Sequence, residues 1–353
     1  MRLAFLHGSN DLYGASRVLA QDAGLLGEMG HDVVVALPED GPLTKILEDC
    51  GANVSVEPLY VLRRVGKSGL KIPMRLPTVC DDSDLVVLWT LALASYLLAL
   101  RLRRCRVLCS AHEILIGPTG RLLAAGTSAL SHSLMVNSKA TGRWITGDLH
   151  WRHPHLAYPV APLYNPAPRH HSESDPLQLL LMGRVNGHKG HLEAVQATRA
   201  ARQSGVQVEI TLLGGSFPGQ EHHLAELLAA IEGLPWARYG GEVPDTRAFI
   251  ESCDVVLIPT NRPEPFGIVA LEAWAAGRRV IASNQGGLLE ATAMVEGITV
   301  PAGDVAGLSA AIVRAAHDPS IRSAPLAEAP ASRECTLAAR QAAWQSALFE
   351  ACV

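Results

Sequence analysis

The sequence has few of the features that mark secreted or nucleic-acid-binding proteins. Its seven cysteines are scattered, odd in number and without a CxxC pair, so a reduced, cytoplasmic protein is expected. MRLAFLHGSN, at the start, holds too short an apolar run for a signal peptide. The 30 basic and 34 acidic residues give a net charge of −4, which excludes a generally basic surface for nucleic acid.

Long hydrophobic runs are also scarce, and one stretch alone has about the length of a short membrane span. This is LVVLWTLALASYLLALRL, at 85–102. Its β-branched beginning gives way to an Ala/Leu pattern of helical type, and RVLCSAH follows as a further strand pattern. We therefore favour a buried strand, helix and strand over a membrane span.

Two series of apolar, strand-length runs fill the 353 residues, with helical patterns between many of them. The first series is RLAFLH, DVVVALP, ANVSVEPL, LVVLWT, RVLCSAH and SLMVNS, and the second contains LQLLLMGRV, VQVEITLLGG, WARYGGEV, DVVLIPT, RVIAS and ITVPAG. Strands that are apolar at nearly every position are typical of a parallel sheet covered on both faces. The predicted fold class is therefore α/β, with two doubly wound, Rossmann-like domains.

A stretch with five prolines, YPVAPLYNPAPRHHSESDP, separates the two series and is interpreted as a linker. The predicted domains are 1–165 and 166–330. Residues 331–353 form a C-terminal helix that could pack back against the first domain. Because ligands of doubly wound sheets bind at the carboxyl ends of the strands, two such domains would face each other across a cleft that holds the site.

The stretch PEPFGIVALEAWAAG, at 263–277, indicates an anion site at a helix N-terminus. Its two prolines exclude a helix before Phe266, and the helix is predicted to begin near Gly267 and to end before Gly277. Free backbone amides at this end would bind phosphate. Glu264 and Glu272 would accept hydrogen bonds from sugar hydroxyls. The alternative is that both glutamates only favour the helix dipole.

A second stretch, MGRVNGHKGHLEA, places two cations on a loop after the first strand of the second series. Arg184 could bind a diphosphate as a fork and Lys189 as a point charge, although each could also be a solvated charge. HGSNDLYGASRVLA is a glycine-containing loop between strand and helix, with Gly14 near the helix start, but it is not GxGxxG. His112, in SAHEILIG, follows a strand at its carboxyl end and is either functional or a core histidine.

These stretches resemble the retaining GT-B glycosyltransferases of family GT4, also called group 1 glycosyltransferases. The spacing of the two glutamates in PEPFGIVALEAWAAG is the most specific match, and GRVNGHKG is similar to the GR-x-x-x-x-KG phosphate loop of that family. Further matches are AHE, VNSKAT, YNP, LLGG, YGGEVPDTRAFIESCDVVLIPT and NQGGLLE. YGASRVL is similar to the N-terminal GG-x-E-R-x-L loop, but Ser16 stands in place of the acid, which concerns the acceptor side.

The resemblance implies a role for each candidate residue on the nucleotide-sugar donor. Arg184 and Lys189 would neutralise the leaving diphosphate, with help from Gly14. Glu264 would hold the sugar hydroxyls, and Glu272 the ribose hydroxyls.

The same resemblance assigns five further positions. Phe266, Gly267 and Ile268 would offer backbone amides to the sugar and phosphate. His112 would contact the donor sugar near the reacting carbon, and Val243 would lie against the base. The predicted catalytic set is His112, Arg184, Lys189 and Glu264.

The implied reaction moves a hexose from a nucleoside diphosphate to an acceptor hydroxyl with retention. Both motif glutamates are committed to hydroxyls, so neither is placed as a nucleophile for double displacement. The resemblance implies front-face substitution, in which the leaving diphosphate accepts the proton of the acceptor. The acceptor would be a glycan, a lipid-linked sugar or a small natural product, bound by the N-terminal domain, while the C-terminal domain would bind the donor.

No metal or other cofactor is expected. DDSD, at 81–84, contains a D-x-D pattern but precedes a strand instead of following one, which puts it at the wrong edge of the sheet. Histidines that flank Lys189 would place a metal in competition with the diphosphate. Metal-independent chemistry is therefore predicted.

Two other functions and one further surface stay open at this point. A nucleotide-sugar epimerase of the same fold would act without an acceptor, and a non-catalytic sugar-nucleotide binder would show no turnover. The segment 60–77 carries basic residues, among them Arg63, Arg64 and Lys67, and no acid. It is either a peripheral contact with the inner face of the membrane or a solvated loop.

Overall fold

A computed structural model describes residues 1–62, 73, 75–147, 149, 151–164, 175–217, 219–318, 320 and 328–352. The chain divides into two compact units. The first unit comprises Met1–Val160 together with Cys335–Val353, and the second comprises Ala161–Glu334. Most of the basic 60–77 segment, including Arg63, Arg64 and Lys67, lies outside the described residues.

The first unit is a doubly wound α/β fold. Its elements are β1 (Arg2–Leu6), α1 (Gly14–Glu28), β2 (Asp32–Leu37), α2 (Pro42–Asp49), β3 (Asn53–Val56), β4 (Leu85–Leu88), α3 (Tyr96–Leu102), β5 (Val107–Ala111), α4 (Pro118–Leu130), β6 (Ser133–Val136), α5 (Lys139–Thr146) and β7 (His155–Leu156). Within the described residues they form a seven-stranded parallel sheet in the order β3-β2-β1-β4-β5-β6-β7. The order reverses between β1 and β4, which is where a doubly wound sheet offers a ligand site.

Residues 85–102 form the predicted strand and helix. All four residues of β4 are fully buried, because the strand lies between β1 and β5 with both faces covered. The helix α3 that follows has seven residues. No helix in the described part of the chain is long and apolar enough to cross a membrane.

The second unit repeats the architecture. Its elements are β8 (Leu177–Met182), α6 (His191–Gln203), β9 (Val208–Leu213), α7 (Glu221–Ile231), β10 (Ala237–Gly241), α8 (Arg247–Ser252), β11 (Val255–Ile258), α9 (Ile268–Ala275), β12 (Arg279–Ser283), α10 (Gly287–Met294), β13 (Ile298–Val300), α11 (Val305–His317) and the short α12 (Ala331–Glu334). The strands described here form a six-stranded parallel sheet in the order β10-β9-β8-β11-β12-β13. Its order reverses between β8 and β11. The predicted α/β class with two doubly wound sheets is thus confirmed.

The last helix, α13 (Leu337–Cys352), belongs to the first unit and contacts β5, β6 and β7. Arg340 is 2% exposed, forms an ion pair with Asp22 of α1, and donates to the carbonyls of Ala157 and Tyr158 at 2.8 and 2.9 Å. Trp344 is fully buried beside aromatic rings of β1 and of the residue after β4. A buried arginine is tolerated because its donors are satisfied in this way.

Candidate functional site

The carboxyl edge of the second sheet brings together the two stretches that carry the predicted chemistry. Lys189 lies on the loop after β8, and Glu264 lies on the loop after β11, on either side of the point where the strand order reverses. Their side chains meet in an ion pair, with Lys189 Nζ 2.5 Å from Glu264 Oε1. The two side chains are 32% and 16% exposed, so the pair is reachable but partly shielded from water.

Close backbone packing fixes the loop that carries Arg184 and Lys189. A Cβ on Gly214, at the end of β9, would lie 1.8 Å from the carbonyl oxygen of Gly183, so only glycine fits there. The amide of Val185 donates to the carbonyl of Gly215 at 2.8 Å. The loop is thus held by its neighbour strand rather than by side chains alone.

Hydrogen bonds also tie the loop after β8 to the loop after β11. Both the hydroxyl of Thr260 and the amide of Asn261 donate to the carbonyl of His188, at 2.9 and 3.0 Å. The side-chain amide of Asn261 donates to the carbonyl of Gly187 at 3.0 Å. These bonds hold the two loops together, so Lys189 and Glu264 can meet although 75 positions separate them in the sequence.

Three helices begin at this edge with a glycine as N-cap and without a hydrogen bond from the cap side chain. The glycines are Gly190 before α6, Gly267 before α9 and Gly286 before α10, with φ values of 77°, 103° and 60°. These conformations favour glycine. No cap side chain covers the first-turn amides, so the ends of α6 and α9 are suited to bind anions through the backbone, whereas the first amide of α10 donates to the carbonyl of Glu264.

Helix α9 begins as the sequence predicts. Phe266 is 1% exposed and anchors the turn in the core, and Gly267 and Ile268 follow as N-cap and first helical residue. Glu272 is 2% exposed on the same helix, one turn further along. The amide of Gly287 donates to the carbonyl of Glu264 at 2.7 Å, which joins the beginnings of α9 and α10.

Arg184 and Val243 complete the predicted donor residues of this unit. The guanidinium of Arg184 lies 5.1 Å from the ring centroid of Phe217, an aromatic side chain that is 40% exposed. Such cation–π stacking orients the fork of an arginine. Val243 is half-buried after β10, two strands away from β8. The edge of the sheet therefore runs from Val243 through Arg184 and Lys189 to Glu264.

His112 and Gly14 belong to the first unit. His112 follows β5, with its ring 4.4 Å from that of Trp89 and its Nε2 2.9 Å from the hydroxyl of Ser110. Burial, helped by Arg340 and His7, lowers the pKa of His112 to about 3, so the ring is neutral at pH 7. Gly14 is the first residue of α1, after β1.

A polar network at the end of β1 escapes the sequence reasoning. His7 is 1% exposed, its Nε2 lies 2.9 Å from the hydroxyl of Ser16, and Ser16 donates to Asp11 Oδ1 at 3.0 Å. Burial lowers the pKa of His7 to about 4, partly opposed by Asp11. The sequence shows Ser16 as a departure from the family loop, but its partners depend on how the loop folds against α1. The structure places the carboxylate of Asp11 beside the position where the resemblance lacks an acid.

The DDSD stretch lies at the amino edge of the first sheet, directly before β4, as expected. Asp84 there accepts from the amide of Arg2 at 2.7 Å and so caps the start of β1. Among the described residues, no group of three or more His, Cys, Asp or Glu side chains is arranged to hold a metal ion.

Comparison with solved structures places the architecture in a known class. HepE from Anabaena, in complex with UDP and glucose, superimposes with a TM-score of 0.78 over 99% of this chain and 99% of its own, at 21% sequence identity. The two doubly wound units thus form a GT-B fold. At this identity the likeness concerns the fold alone.

Sequence comparison is more specific for the second unit. Residues 176–318 match the family model of group 1 glycosyl transferases. Glycogen synthase of Mycobacterium tuberculosis is 34% identical over 148 residues, which are 41% of this chain and 35% of the relative. Lipopolysaccharide 1,2-N-acetylglucosaminetransferase of Salmonella typhimurium is 34% identical over 132 residues, 35% of this chain and 34% of the relative. The resemblance to group 1 glycosyltransferases is confirmed, and the chain spans about a third of the length of these two relatives.

Proposed function

We propose that this protein is a retaining glycosyltransferase that moves a hexose from a nucleoside-diphosphate sugar to an acceptor hydroxyl. The observation that carries the proposal is the pairing of Lys189 with Glu264 at the switch point of the second sheet, beside the uncapped N-terminus of α9. A cation, a carboxylate and first-turn backbone amides within one loop cluster match the diphosphate and the hydroxyls of such a donor.

In this proposal each group at the sheet edge meets one part of the donor. Lys189 and the stacked guanidinium of Arg184 neutralise the diphosphate, and the amides of Gly267 and Ile268 add hydrogen bonds to it. Glu264 exchanges its ion pair with Lys189 for bonds to the sugar hydroxyls.

The other positions of the resemblance keep their roles in the proposal. Buried Glu272 takes the ribose hydroxyls, and Val243 lies against the base. The backbone amide of Phe266 donates a hydrogen bond to the sugar. His112 offers a neutral ring to the donor sugar, and Gly14 offers its backbone to the diphosphate.

The proposed step is a front-face substitution. The bond from the anomeric carbon to the diphosphate oxygen breaks, the acceptor oxygen bonds to the same face, and its proton passes to the leaving diphosphate. Positioning and charge stabilisation then account for catalysis. The positive charge needed on the leaving group comes from Arg184 and Lys189, so the proposed reaction needs no metal.

A thermal-shift titration with UDP, GDP, ADP and dTDP, each with and without EDTA, tests the donor site. A ligand at about 100 times its Kd stabilises the folded state by about 2.7 kcal/mol. We expect one nucleotide to raise the Tm in the presence of EDTA. Glu272→Gln should abolish this shift, and Glu232→Gln, which changes an exposed carboxylate after α7, should keep it.

Product analysis then separates transfer from binding. Incubation of the nucleotide sugar with candidate glycan, lipid-linked and small hydroxyl acceptors should give a glycoside with the anomeric configuration of the donor. If none of the four nucleotides raised the Tm, the proposed donor site would be wrong. Binding without any turnover would favour the non-catalytic binder, and a changed sugar without an acceptor would favour the epimerase.

A further inference from the structure

The segment from β4 to α5, residues 85–146, has a charge opposite to that of the chain as a whole. It carries seven Lys or Arg residues and one acid, which leaves 23 basic and 33 acidic residues for the rest. The single acid, Glu113, accepts from the backbone amides of Leu91 and His112, both at 3.2 Å. A positive region thus lies on one part of the first unit, in a protein whose net charge is −4.

Exposed leucines accompany these arginines on the neighbouring helices α3 and α4. Leu98 and Leu102 of α3 are 40% and 76% exposed, and Leu122 of α4 is 75% exposed. The two helices contact each other, and right-handed crossovers from β4 to β5 and from β5 to β6 put them on the same face of the sheet. We call the exposed side of this helix pair the α3–α4 surface. Its members are Leu98, Arg101, Leu102, Arg103, Arg104, Arg121 and Leu122.

One arginine of this surface, Arg104, has a backbone conformation that residues with a side chain rarely adopt. Arg104 has a φ of 59°, in the left-handed region that favours glycine. It stands where glycine commonly ends a helix, with the amide of Cys105 donating to the carbonyl of Leu100 at 2.9 Å. Strain that persists in a fold points to a use for the residue. Here the residue adds an exposed charge beside Arg103 and Leu102.

We propose that the α3–α4 surface docks on the anionic face of a phospholipid membrane, with its arginines among the phosphates and its leucines in the acyl boundary. Charge complementarity selects an anionic partner. Apolar side chains next to the cations select a lipid, because a soluble polyanion would leave the leucines in water.

A second copy of the chain is a poorer occupant of this surface. A two-fold interface brings the same patch together from both copies, so Arg103 and Arg104 would face the same cations of the partner copy. The proposal does not depend on the proposed function, and it uses none of the residues 63–72.

Co-sedimentation of the 353-residue chain with vesicles tests the proposal. We expect binding to vesicles of phosphatidylcholine mixed with phosphatidylglycerol, weak binding to phosphatidylcholine alone, and a loss of binding at high salt. The double substitution Arg103→Glu and Arg104→Glu should lower the partition coefficient about tenfold or more. Arg199→Glu with Arg314→Glu, a matched reversal of exposed arginines in the second unit, should leave it unchanged.

Two further variants separate lipid insertion from charge and from misfolding. Leu102→Ser with Leu122→Ser should lower vesicle binding at constant charge, whereas Leu228→Ser, at an exposed leucine of α7, should not. Arg104→Gly relieves the backbone strain, so it should keep or raise the Tm and still weaken vesicle binding.

Each contrary result overturns the proposal. No binding to phosphatidylglycerol vesicles would reject the lipid surface, and unchanged binding of the arginine variants would assign binding to another region. Full competition by dextran sulfate, together with unchanged binding of the leucine variants, would identify a soluble polyanion as the partner. A dimer in light scattering that the leucine variants dissociate would identify a second copy.

Discussion

At the scale of single residues, substitutions of Lys189 and Glu264 should have different effects on the affinity for the nucleoside diphosphate. Lys189→Ala removes the cation proposed for the diphosphate, and a charged hydrogen bond contributes about 1.5–3 kcal/mol, so the Kd of the nucleoside diphosphate should rise about tenfold or more. Glu264→Gln releases Lys189 from its 2.5 Å ion pair, so the same Kd should stay or fall while sugar transfer is lost.

Isothermal titration with the nucleoside diphosphate, followed by a transfer assay, measures both effects. Arg314→Ala removes an exposed cation from the last turn of α11 and serves as the control. An equal loss of nucleotide affinity in both Lys189→Ala and Glu264→Gln would contradict the assigned division between phosphate and sugar.

Gly214 shows how one residue sets the geometry of the phosphate loop. Gly214→Ala combines a φ of 137° with a Cβ 1.8 Å from a carbonyl oxygen, so it should destabilise the second unit by at least about 2 kcal/mol. Gly233→Ala has a φ of 70° and open space around its Cβ, so it should cost only about 1 kcal/mol. Urea unfolding compares the two, and equal costs would show that the contact with Gly183 does not matter.

At the scale of elements, local pattern predicts the strands and the helix α9 well, and long-range pairing poorly. The prolines before Phe266 and the glycine after the helix limit α9, and apolar runs give β8 and β11, because these signals are local. The ion pair of Lys189 with Glu264 depends on strand order instead. The sequence of a loop does not indicate which strands are neighbours in the sheet, and so it does not predict that β8 lies beside β11.

The same limit applies to the first unit. Helical periodicity predicts that a helix ends the chain, but it does not predict Arg340 as the partner of Asp22, 318 positions away. The network of His7, Ser16 and Asp11 is hidden for a related reason. Burial of a histidine after a strand becomes visible only once the neighbouring helix is placed.

Helix α13 gives the prediction that belongs to this scale. Asp22→Asn leaves Arg340 as a buried charge without its counter-ion, so the first unit should lose about 3–5 kcal/mol of unfolding free energy. Adding Arg340→Met should restore part of this loss, since the double variant buries neither charge. Chemical unfolding of the single and double variants checks the expectation, and a double variant as unstable as Asp22→Asn would contradict it.

At the scale of the whole molecule, three buried histidines make stability depend on pH. Burial lowers the pKa of His7 to about 4, of His112 to about 3 and of His191 to about 4, from 6.5. In the unfolded chain these groups take up protons near pH 6.5, and in the folded chain they do not. The contribution of these histidines to the unfolding free energy is therefore fully present above about pH 6.5 and is lost as the pH falls towards about 4.

The pH dependence of stability should differ between the two units, because the histidines are distributed unequally between them. Each histidine should contribute a slope of about 1.4 kcal/mol per pH unit below pH 6. The first unit, where burial lowers the pKa of His7 and His112 and also that of the less buried His31 and His132, should lose stability more steeply than the second, where it lowers that of His191. Urea unfolding between pH 7 and about 5, above the range in which most carboxylates titrate, measures the slopes. His7→Gln should reduce the slope of the first unit by about 1.4 kcal/mol per pH unit, and the exposed His317→Gln should change neither slope. Equal slopes in wild type and His7→Gln would show that His7 is protonated in the fold.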